Sequence, residues 1–123
     1  MFKYLHQDAM PIMKFDMMQE GLLTVFKPYQ AVLMEHIWDL NKSENVGVTS
    51  GEAHQFLQVQ PERKSRASVI FFLNDMVEEG VLDYEERTGK GGYHRVYYPL
   101  MDRDGFQKYI TEKINSKLEK MFP

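Results

Sequence analysis

Two short clusters of basic residues are the groups in this sequence best suited to bind an anion. The first spans residues 61–66 (PERKSR) and holds three cations and one acid. The second spans residues 87–95 and holds three cations and a histidine that gains charge below about pH 6.5. On one face of a folded chain they would offer about six cations to a phosphate backbone, enough for an affinity that falls steeply with salt. The members are Arg63, Lys64, Arg66, Arg87, Lys90, His94 and Arg95.

Small and hydroxylated side chains stand beside the first cluster, where they can contact a base pair. Ser65 and Ser68 can donate hydrogen bonds to a phosphate or a base, and Ala67 and Phe71 can contact the methyl group of thymine. Two other interpretations remain. Exposed Lys and Arg are usually only a solvated surface, and an exposed aromatic side chain such as Phe71 can anchor a protein interface. These residues alone therefore leave duplex DNA and another protein open as partners.

The sequence lacks the arrangements typical of an enzyme or a metal centre. We find no nucleophile beside a base, no glycine-rich phosphate loop after a strand, and no pair of His or carboxylate residues at ligand spacing. His36 has no second ligand three or four residues away, so we expect it to pack within the fold. The absence of cysteine excludes disulfides and thiolate metal sites. We therefore predict no catalytic residue, no bound metal and no cofactor.

Composition limits the class of protein. The formal net charge is −3, so binding to DNA must depend on a local patch and not on overall charge. Apolar residues make up 43% and aromatic residues 13% of the 123 positions, which predicts a single packed domain. No apolar run approaches the ~18 residues of a membrane span, and the N-terminus lacks the apolar core of a signal peptide. We expect a cytoplasmic protein with no membrane partner.

The first cluster lies at the start of a predicted helix over residues 65–80. Ser65 is a suitable N-cap and Gly80 a suitable C-terminal stop. The apolar stripe, at helical spacing, consists of Val69, Phe72, Leu73, Met76 and Val77. The exposed face is small, hydroxylated and basic at its start, and the acids that we expect to follow on it are Asp75, Glu78 and Glu79. Such a helix would bring only its N-terminal end to phosphates and base edges.

Two more helices are predicted upstream. The first covers residues 29–40 after Pro28, and the loop at residues 41–47 follows it, with a short strand near residues 46–48. Thr49 and Glu52 match a capping box that opens a second helix. The residues expected on the inner face of the first helix are Val32, Leu33, His36, Ile37 and Leu40.

A hairpin and a last helix are predicted downstream. Residues 81–87 and 93–100 alternate as strands, and the run TGKGG between them supplies the turn. A helix from Asp102 to about Met121 carries one narrow apolar stripe, which either returns to the core or pairs with a second copy of the chain. We favour a homodimer, with contacts made by Phe106, Ile110, Ile114, Leu118 and Met121.

The N-terminal arm, residues 1–24, is rich in methionine and other apolar side chains. We expect it to pack across the domain or across a dimer partner, because such length is seldom left uncovered. A thioether site for a soft ion such as Cu(I) is the alternative, although methionine more often fills a core. A small-molecule effector, unidentified from sequence, would bind between the arm and the helices in a dimer groove lined by Met13, Met17, Met34 and Trp38.

The order helix, short strand, helix, helix, hairpin, helix predicts an α+β, mainly α fold: a winged helix-turn-helix domain with an N-terminal arm and a C-terminal dimerisation helix. Residues 23–100 resemble the penicillinase-repressor and copper-repressor family of winged-helix regulators. The resemblance lies in AVLMEHIWDL, SRASVIFFLNDMVEEGVL and GGYHRVYYPL. Through SRASV and GKGGYHRVYYP the chain is also similar to regulators of the multiple-antibiotic-resistance type. We divide the chain into an arm at 1–24, a DNA-binding domain at 25–100 and a dimerisation helix at 101–123.

The resemblance implies a homodimeric transcriptional regulator, expected to be a repressor, that binds double-stranded DNA. It implies that the third helix enters the major groove and the hairpin, or wing, lies on the flanking backbone or minor groove. By position, Arg66, Ala67 and Ser68 would lie near base edges and Lys64 and Ser65 at phosphates. The wing contacts would be Lys90 and Arg95. The alternative is a winged-helix module that binds protein through Phe71 and the third helix.

Overall fold

The computed structural model describes residues 13–122, which form four α-helices, a short 3₁₀ helix and a three-stranded antiparallel sheet. The elements in chain order are the 3₁₀ helix Gly21–Thr24, α1 Pro28–Glu44, β1 Val48–Thr49, α2 Ser50–Gln58, α3 Arg66–Glu79, β2 Leu82–Gly89, β3 Gly92–Pro99 and α4 Arg103–Met121. Helices α2 and α3 form the helix-turn-helix, and β2 and β3 form the wing. The predicted α+β, mainly helical winged-helix fold is therefore confirmed.

Helix α1 extends one turn further than its predicted end. Residues 41–44, expected as loop, continue the helix, and Asn45 closes it in the left-handed conformation with φ 56°. Asparagine tolerates this conformation, and none of the four preceding side chains breaks a helix. The buried face is also turned from the predicted one. Leu33, Met34 and Ile37 are fully buried, whereas Val32, His36 and Leu40 are only half-buried.

The capping signals read from the sequence are present in the structure. The Thr49 hydroxyl accepts from the Glu52 amide at 3.1 Å, and the Glu52 carboxylate accepts from the Thr49 amide at 2.8 Å. The Ser65 hydroxyl accepts from the Ser68 amide at 3.2 Å, and Gly80 ends α3 with φ 85°. These local hydrogen bonds satisfy amides that the first helical turn leaves free, which is why both helices begin where predicted.

One hydrophobic core joins the helices to the sheet. Four residues of the α3 stripe are buried in it, together with residues of α1, the wing and α4, and the fifth, Val77, is half-buried against it. Phe106 of α4 is 1% exposed and lies against Phe26 and Trp38, with ring centroids 5.3 Å away in each case. Trp38 also donates from Nε1 to the carbonyl of Met101 at 3.0 Å. Phe106, predicted as a dimer contact, is therefore a core residue of its own chain and is not accessible to a second one.

The wing is a regular hairpin with a tighter turn than the predicted four or five residues. Strands β2 and β3 pair from Leu82 opposite Pro99 to Gly89 opposite Gly92, so only Lys90 and Gly91 form the loop. Gly91 has φ 89°, a conformation that favours glycine. Strand β1 adds to the other edge of β3, which places the start of α2 directly beside the wing.

Glu79 was expected on the exposed face of α3, but its side chain is buried. Its Oε1 atom accepts hydrogen bonds from the Tyr109 hydroxyl, at 2.8 Å, and from the Lys113 ammonium. The prediction was wrong because Glu79, seven residues after Phe72 and three after Met76, lies at the edge of the buried stripe. Helix α4 packs over that edge at the end of α3. The last turn of α3 is thereby attached to α4.

The described part of the N-terminal arm does not form the predicted methionine groove. Met13 packs in the core, where Met34 is 0% exposed, whereas Met17 and Met18 are 67% and 91% exposed. Trp38 is buried as well. Since these side chains are separated between core and surface, they do not line one effector site. Residues 1–12 of the arm lie outside the described residues.

Candidate nucleic-acid interface

The N-terminal end of α3 presents a capped, positively polarised helix terminus at the surface. The first turn, residues 66–69, contains no acid, so nothing in it offsets the positive end of the helix dipole. The Ser65 hydroxyl donates to the Ser68 hydroxyl at 3.1 Å while accepting the Ser68 amide. An anion is the ligand that such a terminus favours.

An open groove separates α2 from this end of α3 and carries much of the first basic cluster. It is lined by His54, Gln58, Arg63, Lys64, Ser65 and Ser68. The Gln58 side-chain amide donates to the Lys64 carbonyl at 3.1 Å and lies 2.9 Å from His54 Nε2, so the turn between the two helices is fixed by side chains. Sequence analysis missed both residues. Their signal is the four-residue spacing that places 54 and 58 on one helix face.

Two basic side chains at this end pack against neighbouring elements. The Lys64 ammonium lies 5.3 Å from the Tyr29 ring centroid, a cation–π contact to the start of α1. One Arg66 guanidinium nitrogen lies 3.8 Å from the position that a Cβ atom would take on Gly51, so Arg66 reaches over the first turn of α2. Both side chains remain exposed. The basic cluster therefore lies beside the starts of α1, α2 and α3.

The wing cations lie on two faces of the hairpin. Successive side chains of a strand alternate, so Arg95 shares the inner face with Tyr97, whereas His94 and its cross-strand partner Arg87 lie on the outer face. Arg87 there forms an ion pair with Glu85 at 3.2 Å. The predicted acid-free cluster of three cations is thus divided, and Arg87 is compensated. Lys90 stands alone in the turn.

Arg95 is held between the wing and α3. Its Nη1 donates to Asn74 Oδ1 at 3.2 Å, and its guanidinium carbon lies 4.1 Å from the Tyr84 ring centroid. Asn74 Oδ1 also accepts from the Tyr97 hydroxyl at 2.7 Å. Phe71, 70% exposed, precedes Asn74 by one helical turn on the same face. A continuous surface therefore runs from the start of α3 through Phe71 to the inner face of the wing.

All eleven predicted contact residues are accessible. Ser68 is half-buried, and the exposed ones are Arg63, Lys64, Ser65, Arg66, Ala67, Phe71, Arg87, Lys90, His94 and Arg95. Further along α3 the surface becomes acidic. Partial burial and the nearby Glu78 carboxylate raise the pKa of Asp75 above its ordinary value. Acids that crowd each other would repel a phosphate backbone, which leaves the first turns of α3 as the favourable part.

The apolar stripe of α4 becomes progressively exposed beyond Phe106. Ile110 and Ile114 are half-buried, and Leu118 and Met121 are 44% and 58% exposed. The first two line a cleft of about 250 Å³ beside the 3₁₀ helix. This gradient indicates that the beginning of α4 belongs to the domain core and its end does not.

The described part of the chain contains neither a metal-binding cluster nor a membrane-spanning helix. Among residues 13–122, no three His, Asp or Glu side chains come together as a metal ion would require. No helix of that range is long and apolar enough to cross a bilayer.

Comparison with known proteins agrees with this geometry. A family model described as "Penicillinase repressor" matches residues 28–122, from the start of α1 to just past the end of α4. No curated protein and no solved structure matches the chain. The match includes the helix-turn-helix, the wing and α4, and it covers well over half of the sequence. The chain therefore belongs to the penicillinase repressor family, a family of winged-helix, DNA-binding transcriptional repressors.

Proposed function

We propose that this protein is a sequence-specific repressor that binds double-stranded DNA in the cytoplasm as a homodimer. The start of α3 enters the major groove, with Arg66, Ala67 and Ser68 at base edges and Lys64 and Ser65 at phosphates. The wing lies on the flanking backbone or minor groove. The observation that supports this best is the exposed, acid-free N-terminus of α3, which adjoins the groove of α2 and continues through Phe71 to Arg95.

Dimerisation is assigned to the part of α4 beyond Phe106, through half-buried Ile110 and Ile114 and exposed Leu118 and Met121. Covering these side chains removes apolar surface from water, which α4 does not achieve by itself. A two-fold dimer would place two α3 helices at half-sites about one turn of DNA apart, roughly 34–36 Å. The proposal includes no effector site at the predicted methionine groove, because its side chains are separated between core and surface.

Selection of bound sequences from random duplex DNA tests the proposal most directly. A two-fold symmetric consensus with half-sites one helical turn apart would support DNA recognition and dimerisation together. The same experiment would show which bases are read, because positions under α3 should be the most constrained. Recovery of no preferred sequence would count against a specific repressor.

Salt titration of duplex binding tests the residues. We expect the logarithm of affinity to fall linearly with the logarithm of salt concentration, with a slope of about −0.9 for each phosphate contact. Arg66→Ala should cost about 1–3 kcal/mol if the side chain reads a base edge. Lys42→Ala is the matched control, since Lys42 is exposed at the far end of α1. Absence of binding at ~100 mM salt would refute the proposal.

A protein partner is the second candidate, and the exposure of Phe71 favours it. An aromatic side chain that is 70% exposed on a recognition helix can anchor a protein interface as well as it can contact a thymine methyl. In the DNA proposal, Phe71→Ala weakens duplex binding and weakens it most for sites with thymine under α3. If Phe71→Ala leaves duplex binding unchanged, Phe71 serves a different partner.

A further inference from the structure

The side-chain amide of Asn74 connects helix α3 to the wing. Asn74 Oδ1 accepts from the Tyr97 hydroxyl at 2.7 Å and from Arg95 Nη1 at 3.2 Å. Tyr97 is 3% exposed and lies opposite Val48 in the sheet, so its position is set by the core. Asn74 is therefore held by a buried group on one side and holds an exposed cation on the other.

The choice of an amide has an electrostatic consequence. The Asn74 oxygen is a neutral acceptor, so it orients the guanidinium without cancelling its charge, and it uses only one of the five N–H donors. Stacking on Tyr84 at 4.1 Å adds a second restraint that is also neutral. Arg87 is the contrast within the same hairpin, because its partner Glu85 is a carboxylate that compensates it. Arg95 is thus ordered by two neutral groups, and the acid Glu86 lies opposite it in the sheet register.

We infer that Asn74 is a positioning residue that holds Arg95 in place for a phosphate of the DNA that α3 engages. This inference deepens the proposed function and rests on it. An arginine already restrained in the free protein loses less side-chain freedom on binding, so its ion contact contributes more to affinity. Asn74 acts through Arg95, not through DNA, and it also sets where the wing stands relative to α3.

The binding of five variants, one of them a control, to one probe tests this inference. The probe is a labelled mixed-sequence duplex of about 30 base pairs in about 50 mM salt, where sequence-independent binding is measurable. Asn74→Ala should weaken binding about two- to tenfold, the effect of releasing one ordered side chain. In an Arg95→Ala background, the same substitution should change the affinity less than about twofold, because the residue through which it acts is gone.

The Asn74→Asp variant distinguishes two roles for Asn74: positioning a charged Arg95, or only attaching the wing to α3. Aspartate keeps both acceptor bonds but neutralises Arg95, so affinity should fall to about that of Arg95→Ala and the salt slope should lose about one phosphate contact. If Asn74→Asp binds like the wild type with the full slope, Asn74 only attaches the wing and the inference is wrong. Circular dichroism shows whether Asn74→Ala folds. If it does not fold, the near-isosteric Asn74→Asp variant is used to test the inference.

The outcomes distinguish this inference from the function on which it rests. If the wild-type protein does not bind the duplex at all, the proposed function fails and the inference with it. If the wild type binds with a steep salt dependence but the effects of Asn74→Ala and Arg95→Ala simply add, the function stands and the inference is overturned. Asn115→Ala, an exposed asparagine of α4, is the matched control and should bind like the wild type.

Discussion

Replacing Lys113 by methionine should destabilise the fold far more than an ordinary surface substitution. Glu79 is 1% exposed, and its carboxylate is held by Lys113 and Tyr109 across the contact between α3 and α4. Its other oxygen, Oε2, has no hydrogen-bond partner among residues 13–122. The carboxylate also stands at the C-terminal end of α3, the negative end of the helix dipole, which makes the ammonium more important.

The size of the effect follows from the burial of the two partners. Removing one member of a buried ion pair costs about 3–5 kcal/mol, because the other is left as an uncompensated buried charge. Lys113 is 28% exposed, so water reaches the pair and we expect a smaller loss, about 2–3 kcal/mol. Methionine keeps the length and apolar character of the lysine stem, so loss of packing contributes little. For a chain of this length the melting temperature should fall by about 8–12 °C.

Urea denaturation followed by circular dichroism and by the fluorescence of Trp38 measures the change. Lys117→Met, one helical turn further along α4, is the matched control and should change stability by less than about 0.5 kcal/mol. Replacing both Glu79 and Lys113 by methionine should recover most of the loss, since apolar replacements of a buried pair are often neutral. The reasoning is refuted if Lys113→Met behaves like the control, or if the two single losses add in the double variant.

Three further predictions concern a histidine, a glycine and a helix cap. Burial lowers the pKa of His36 below 6.5, so the fold favours the neutral ring. The free energy of unfolding should therefore be highest above pH 6.5 and should decrease as pH falls through 6.5 towards the lowered pKa. Urea unfolding midpoints measured between pH 7.5 and 5 should show this decrease in the wild type, and the part due to His36 should be lost in His36→Gln. A Cβ on Gly47 would lie 2.4 Å from the Tyr97 carbonyl oxygen, so Gly47→Ala should force β1 from β3 and cost about 1–3 kcal/mol in thermal melts. Gly51→Ala, with nearest atoms at 3.8 Å and a helical position, should be neutral or stabilising by contrast. Ser65→Ala should cost about 1 kcal/mol through loss of the cap. Ser65→Asp should keep the cap in urea unfolding but weaken duplex binding in fluorescence anisotropy, because it brings an anion to the phosphate site.

Features that depend on short stretches of chain were predictable. The bounds of α3, the capping box of α2 and the hairpin follow from neighbouring residues, because caps, helical periodicity and turns are local interactions. The order of these elements along the chain was then enough to predict the winged-helix fold. The exposure of the basic end of α3 followed from the same pattern, since an apolar stripe on one face leaves the other face to solvent.

Features that depend on contacts between distant residues required the tertiary structure. The spacing places Glu79 at the edge of the buried stripe, but only the tertiary structure shows that Tyr109 and Lys113 of α4 bind its carboxylate there. The stripe of α4 could not show that Phe106 enters the core while Leu118 remains accessible, because spacing identifies a face and not what covers it. From the sequence, the three cations of the wing could not be told apart in their surroundings. The alternation of strands placed Arg95 on one face, where the neutral Asn74 side chain orders it opposite Glu86, and paired Arg87 with Glu85 on the other face.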